Sequence, residues 1–538
     1  MERLLILPAL PTRALPTRAL PLQALLRTLA LPARAGQRRR PAAIATAACI
    51  LGAACAPRGD ATPATVPAPA ATALLPPPPP SPGRSVPGVD YTVAFDPDLS
   101  SVAARVCFTG LEVPTRLAPP MGAASPFLEV ARTARGALAV DDAGVDLTGV
   151  GSGDCVEYAV DLDGVFRAGS QIDGVARYAD AALLSPDWWL WPPEPRGPEM
   201  PIRVQFADAS GVAVPWPRDD ENGPSFRVPE SAFRWKSQAA VGALDRHRRH
   251  VGTTTLDVTL VGADFGAQTN AVVDWVHDAA TVAAELLDGF PVSRGLVLVA
   301  ADPARSGNTF GLALQGGGPT AVLLMPATPP SAAALADDWT AVHELLHFTH
   351  PPMPAAEAWF FEGVVTYLTP VARARAGRID ARAAWTELFE GFDRGEHRSG
   401  TGRPLAEECR LMHRTGSYWR VYWAGAAVAF QWDVALHRRG RSLREGMAAL
   451  AKAGLDPNRR WTGRDLMARL DAWCDCDLHT SIATPHLESA TFPSLATLSD
   501  RLGIRYVRTT GLDGVVTLDD EAPEAALRDR IMTRGDAR

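Results

Sequence analysis

The chain reads as an α+β protein in which a β-sandwich-like region, a mixed α/β region and an all-α region follow one another. Three observations predict this. Between residues 89 and 250, short runs such as "DYTVAFD", "SVAARVCFTG", "CVEYAVDL" and "MPIRVQFAD" alternate or run apolar between turn residues, the pattern of strands. Between 251 and 376 the period changes. "TTTLDVTLVG" and "RGLVLVAA" read as strands, and "NAVVDWVHDAATVAAELLDGF" reads as an amphipathic helix of about twenty residues. From 377 to 485 helical patterns alternate with short loops, and residues 486–538 make a small appendage.

The N-terminal elements come first in order. Residues 1–36 are a low-complexity run of Leu, Pro, Ala and Arg, followed by Arg38, Arg39 and Arg40 and then by "PAAIATAACILGAAC". A basic triplet, a short apolar core and small residues make an export signal. The translation start is expected after roughly the first 30 residues, just upstream of that triplet. "LGAAC", ending at Cys55, resembles the lipobox of bacterial lipoproteins, with Gly52 where a Leu is usual. That resemblance implies lipidation of Cys55 and an exported, membrane-anchored protein, in the periplasm or at the cell surface. Residues 1–55 are therefore the leader and signal. Residues 56–88 are a Pro/Ala-rich linker, extended and semi-rigid, suited to holding a folded body off a membrane.

Composition narrows the partners. The 538 residues are 47% hydrophobic and 21% charged, with a net charge of −7. There is room for several domains. No basic stripe of the kind a nucleic-acid surface needs is present. No apolar run reaches the length of about 18 residues that a spanning helix requires.

Seven cysteines occur. Cys49 and Cys55 belong to the leader, Cys107 and Cys155 can pair within the β-rich region, and Cys409 can pair with Cys474 or Cys476. "CDC" is too tight for the usual zinc ribbon and reads as structural. Trp188, Trp189 and Trp191 in "SPDWWLWPPEP" could form a sugar platform, which would make the chain a glycan-binding lipoprotein. A packed core or a domain interface is the better reading.

The chemistry concentrates in "SAAALADDWTAVHELLHFTH", residues 331–350. Ser331 is an N-cap, and Pro351 and Pro352 stop the helix. His343, Glu344 and His347 spell HExxH. Positions i and i+4 project from one helix face, so the two imidazoles converge on one cation while Glu344 reaches a water on it. A chance match in a chain of this length is on the order of one in a hundred. His350 is the obvious third histidine. However, seven residues of helix is roughly 10 Å of rise, too far for three bonds of about 2 Å to one ion. It reads instead as a helix-end histidine favoured by the dipole.

The third ligand must come from a neighbouring element, and Glu357, Glu362 and Glu387 are in range. Glu362 stands out because it follows the apolar "AWFF" on the second helix (Pro354 to about Ala376) and precedes Gly363. A carboxylate among aromatics is costly to bury without a partner.

"HELLH", "WFFEG", "TYL" and "YWAGAAVAFQWDVALHRRGRSL" together resemble the gluzincin zinc metallopeptidases, a group that includes thermolysin and the aminopeptidase N family. The likeness is greatest to the glycyl aminopeptidases. It runs from about residue 89 to 485, with the specific motifs confined to 343–443. It implies a β-sandwich-like N-terminal domain (89–250), a thermolysin-like zinc-binding subdomain (251–376) and a helical subdomain (377–485). By matching positions it implies a zinc ion on His343, His347 and Glu362, with Glu344 as general base. It also implies that Tyr422 stabilises the oxyanion, with Tyr418 its rival in "YWRVYW", and that Thr366 supplies a supporting hydroxyl. The activity implied is peptide hydrolysis, of aminopeptidase type.

The chain departs from that pattern in one respect. Aminopeptidases of the group anchor the substrate amine with an acidic edge-strand residue. The matching stretch, "FGLALQGGGPTAVLL", has none, nor does any position from Ser306 to Ala336. That gap supports an alternative reading, a non-catalytic zinc-holding or peptide-binding envelope lipoprotein. Glu344 opposes it, since a structural zinc site needs no base.

Overall fold

Ser101–Thr109 alternates half-buried and buried positions along its whole length, which is what period-2 patterning produces on a one-sided sheet. It lies inside a seven-stranded sheet, paired with Gly88–Phe95 on one side and Cys155–Asp161 on the other. The computed structural model describes residues 87–534, except 120–124, 172–173, 198–199, 220–223, 263–264, 306–308, 399–400 and 511–512. The leader, Cys55 and residues 56–86 of the linker lie outside the described residues.

Two four-stranded sheets accompany the seven-stranded one. Their shared core contains Trp189 and Trp191, both 0% exposed. Phe95, Phe206 and Trp216 stand 5.4–6.0 Å from the Trp189 ring, and the Tyr158 hydroxyl donates to the Trp189 carbonyl at 2.8 Å. Each such burial is worth about 1.5–3 kcal/mol. Trp189 and Trp191 are thus core, and Trp188 is half-buried against the same cluster, as the packed-core reading expects. Cys107 and Cys155 face each other across neighbouring strands and form a disulfide.

The next sheet has five strands in the order Leu244–Val251, Thr254–Val261, Arg294–Asp302, Thr320–Pro326, Phe310–Leu314. The middle three are parallel and nearly all buried, as parallel strands covered on both faces must be. Helix Thr269–Leu286 makes the crossover between the first two of them. One face (Leu256, Val258, Val297, Val299, Leu323) packs on helices. The other (Val261, Leu296, Leu298, Val322, Leu324) packs on the strand layer of Leu183 and Ala240. "GLALQGGGPTAVLLMP" is a hairpin, and its first strand is the sheet edge.

Beyond residue 330 the chain is helical to Cys474. Helices Ala358–Arg375, Ala381–His397 and Tyr418–His437 form its centre. The C-terminal segment adds helix Ala496–Leu502, a hairpin Ile504–Thr510/Asp513–Leu518 and helix Ala525–Met532. Ile504, Val516, Leu527 and Ile531 enter the same core as the helices. The α+β class is as expected.

Two expectations need correction. Cys409 does not pair with Cys474 or Cys476. It faces the core of helix Leu405–Thr415 and is free. The left-handed turn at Asp475 (φ 50°) closes helix Gly463–Cys474, and Cys474 and Cys476 bond to each other across it. The expected single helix from Ser331 to His350 is two. Ser331 does cap the first, Ala332–Asp337. The backbone then turns extended at Asp338 (φ −75°, ψ 119°), whose carboxylate accepts from the Thr340 N–H at 2.7 Å and starts the second. Among the described residues no helix is long and apolar enough to cross a membrane.

Candidate active site

Helix Thr340–Leu346 is entirely buried. It lies against helix Thr269–Leu286, helix Ala358–Arg375 and the edge strand Phe310–Leu314. His343 is its fourth residue, and His347 opens the 3-10 turn that follows. The two rings stand 5.1 Å apart, edge to face.

Glu362 meets them from the neighbouring helix. Its Oε2 is 3.5 Å from His343 Nε2 and 3.4 Å from His347 Nε2. Glu357 and Glu387 do not compete for this position. Glu357 accepts from Trp359 Nε1 and Gly463 N, and Glu387 pairs with Arg373.

Two glycines set this approach. A Cβ on Gly363 would stand 2.5 Å from Gly425 Cα, and one on Gly425 would strike the Trp359 carbonyl. The helices carrying Glu362 and Tyr422 therefore touch backbone to backbone, which only Gly permits. The contact brings Tyr422 beside Glu362; burial first, and then the Glu362 charge, push its hydroxyl well above the ordinary phenol range. The Tyr418 hydroxyl lies 3.1 Å from His413 Nδ1.

Glu344 points to the edge strand. Its carboxylate lies against the strand near Ala313, and Gly311 leaves it room, since a Cβ there would overlap its side chain. Burial pushes the Glu344 carboxyl up to about 8. Burial would also raise Glu362, but the His347 imidazole and hydrogen bonds from both histidines hold it well below the usual carboxylate range. Desolvation lowers His343. In His347 the two carboxylates outweigh desolvation and raise it.

The outer nitrogens are also engaged. Thr369 Oγ1 donates to the Val365 carbonyl and therefore accepts from His343 Nδ1, 3.3 Å away. This is the supporting hydroxyl. Thr366, expected in that role, is buried, and its Oγ1 makes no hydrogen bond among the described residues. Thr369 lies seven residues beyond Glu362, two turns along the same helix face, and that spacing was the signal available for it.

His350 also departs from expectation. The α-helix ends at Leu346, and His350 is extended (φ −121°, ψ 156°). Desolvation, aided by the His347 charge, pushes its pKa down to about 3. A neutral ring outside the helix gains nothing from the dipole. Its Nε2 instead lies 2.8 Å from His347 Nδ1.

The donor set fits a zinc ion. One ligand atom from each of His343, His347 and Glu362 lies within 4.8 Å of the others. A tetrahedral zinc with bonds of about 2.0–2.1 Å keeps its ligands roughly 3.3 Å apart, close to the nitrogen–oxygen distances found. Both Nδ1 atoms bond outward, so loss of the Nε2 protons on metal binding would leave both Nε2 lone pairs free to ligate.

No protein-family model and no curated protein sequence matches this chain. Solved structures do. An aminopeptidase N family protein from Idiomarina loihiensis aligns over 81% of this chain and 82% of its own, at 15% identity and a TM-score of 0.61. An M1 zinc metallopeptidase from Deinococcus radiodurans aligns over 76% and 95%, at 17% identity and a TM-score of 0.48. The first likeness establishes the fold, a β-sheet N-terminal region followed by a mixed and then a helical region.

Proposed function

We propose that this chain is a zinc-dependent metallopeptidase that hydrolyses peptide bonds outside the cytoplasm. The observation that carries the reading is the convergence of His343 Nε2 and His347 Nε2 on Glu362 Oε2, with the Glu344 carboxylate beside them. Zinc held by these three side chains would polarise the scissile carbonyl and acidify a water.

The remaining chemistry belongs to the chain. Glu344 takes the proton of the attacking water and delivers it to the leaving amine, a general acid–base contribution of about 10²–10⁴. The close contact with Gly311 of the edge strand sets the position of its side chain. Tyr422 carries a hydroxyl donor beside Glu362 in the resting site. Transferred to the carbonyl oxygen as charge develops, that donor stabilises only the transition state.

The edge strand beside Glu344 presents Leu312, Ala313 and Leu314, all half-buried. It offers a free substrate amine no carboxylate, so an aminopeptidase action would draw its anchor from another segment. Export and anchoring rest on the leader and Cys55. The Cys107–Cys155 disulfide supports an oxidising compartment.

The test is peptide-library digestion by the purified protein, with and without chelator, alongside metal analysis. Cleavage that is lost on chelation and restored by zinc is expected. Stoichiometric zinc with no hydrolysis of any peptide would return the chain to a zinc-holding envelope lipoprotein.

A further inference from the structure

We infer that His350 is a positioning residue of the metal site, fixing the ring and tautomer of His347 through an imidazole-to-imidazole hydrogen bond. The inference rests on the reading of His343, His347 and Glu362 as zinc ligands.

The proton order follows from one carbonyl. His350 Nδ1 lies 2.8 Å from the Pro351 oxygen. A carbonyl only accepts, so Nδ1 carries a proton, and in the neutral ring Nε2 is then the acceptor. That Nε2 is 2.8 Å from His347 Nδ1, which must therefore be the donor. In the neutral, metal-ligating form of His347 the lone pair is then on Nε2, the nitrogen on the Glu362 side. Each proton along the series is placed by the group outside it, ending at a carbonyl that cannot donate.

The arrangement is held mechanically as well. Gln315 Nε2 donates to the carbonyls of both His347 (2.9 Å) and His350 (3.1 Å), tying both residues to the end of the edge strand. Phe361, adjacent to Glu362, closes the stack at 6.1 Å from the His347 ring and 5.6 Å from that of His350. Pro351 contributes through the backbone. It disfavours helix at the residue before it, and the extended His350 turns its ring back behind His347.

The supports of the two histidines are thus a hydroxyl, Thr369, and a neutral imidazole, His350. Neither brings a negative charge. Glu362 is the one anionic ligand of the set, so a bound divalent ion keeps a net positive charge. A supporting carboxylate would reduce that charge and raise ligand basicity.

Three variants test the role. His350→Gln places an amide oxygen near the position of Nε2 and keeps the acceptor. His350→Asn can replace Nδ1 but leaves His347 Nδ1 without a partner. His350→Ala removes both. Apoprotein is titrated with zinc alone against a chromophoric chelator, and the cobalt-substituted forms are compared by visible absorption. Asn and Ala are expected to weaken zinc binding about 10- to 100-fold and to shift the cobalt bands, with Gln within about threefold of the unmodified chain. If the Ala variant fails to fold, the Asn and Gln pair decides. Asn and Gln variants that both hold zinc as tightly as the unmodified chain overturn the role and leave the ligand reading intact. If the unmodified chain binds no zinc, the ligand reading falls and this role falls with it.

Discussion

Gly311 on the edge strand and Glu344 on the metal-site helix meet so closely that the glycine has no room for a side chain; a methyl group there would overlap Cγ, Cδ and Oε1 of the glutamate. Gly311 has no left-handed backbone to explain its identity. Its smallness is required by the approach of the carboxylate. Gly311→Ala should displace the Glu344 carboxylate while leaving His343, His347 and Glu362 in place. A displacement of about 1 Å from the reacting geometry costs roughly 100-fold, so kcat should fall by about that factor with zinc content unchanged. Steady-state kinetics with metal analysis checks this, and an unaltered kcat would count against a catalytic Glu344.

That relationship also marks where the sequence stopped being readable. HExxH was legible because helical periodicity alone puts His343 and His347 on one face. Glu362 was legible because a lone acid inside "AWFFEG" needs a partner. The motif glycines were visible, but their reason was not: Gly363 and Gly425 lie 62 positions apart and explain each other only once their helices cross. The break at Asp338 was missed because an Asp beside Asp337 and Trp339 gives no Pro or Gly signal, although its carboxylate caps the next helix. His350 was misread because its role depends on a 3-10 turn, which carries its ring behind His347 rather than one helical turn further on.

Glu344→Gln and Glu362→Gln should separate chemistry from metal binding. The first keeps all three ligand side chains and loses the base, so zinc should stay stoichiometric while kcat drops about 10²–10⁴-fold. The second removes the one anionic ligand and should lose zinc on dialysis. Metal analysis of both variants beside their kinetics is the check. Retention of zinc by Glu362→Gln would exclude it as a ligand.

Tyr422→Phe and Tyr418→Phe distinguish the two tyrosines. Tyr422 lies beside Glu362, whose charge acts on its hydroxyl, while the Tyr418 hydroxyl contacts His413. Loss of an oxyanion donor costs about 10²–10³ in kcat, so Tyr422→Phe should fall by that factor with KM little changed. Tyr418→Phe should stay within a few-fold of the unmodified enzyme, about the scale of an ordinary peripheral change. Equal losses in the two would remove the special role of Tyr422.

Gly425→Ala tests the helix crossing. The new methyl would strike the Trp359 carbonyl, and the same helix face already abuts Gly363. Backbone has no rotamer to relax into, so the helices must separate, at a cost of about 1–3 kcal/mol. Separation would also draw Tyr422 away from Glu362. Denaturant midpoint and kcat should fall together, whereas Gly440→Ala, at a site with nothing within 4 Å but φ 73°, should lower stability and leave kcat alone.

Glu524 provides the pH dependence of the C-terminal segment. Its carboxylate accepts from Arg438 Nε and Nη2 (3.0 and 2.7 Å) and from Arg501 Nη2 (2.8 Å), and these hydrogen bonds pull its pKa from 4.5 to about 2. The folded form binds this proton less readily than the unfolded chain. The stabilisation is therefore fully present above pH 4.5 and is lost as the pH falls toward 2. Both arginines are about half exposed, so screening limits the effect to about 1 kcal/mol. Urea unfolding of the unmodified chain and Glu524→Gln at pH 7 should differ by that amount, and the gap should close near pH 2. A gap that stays constant with pH would mean that packing, rather than charge, holds Glu524 in place.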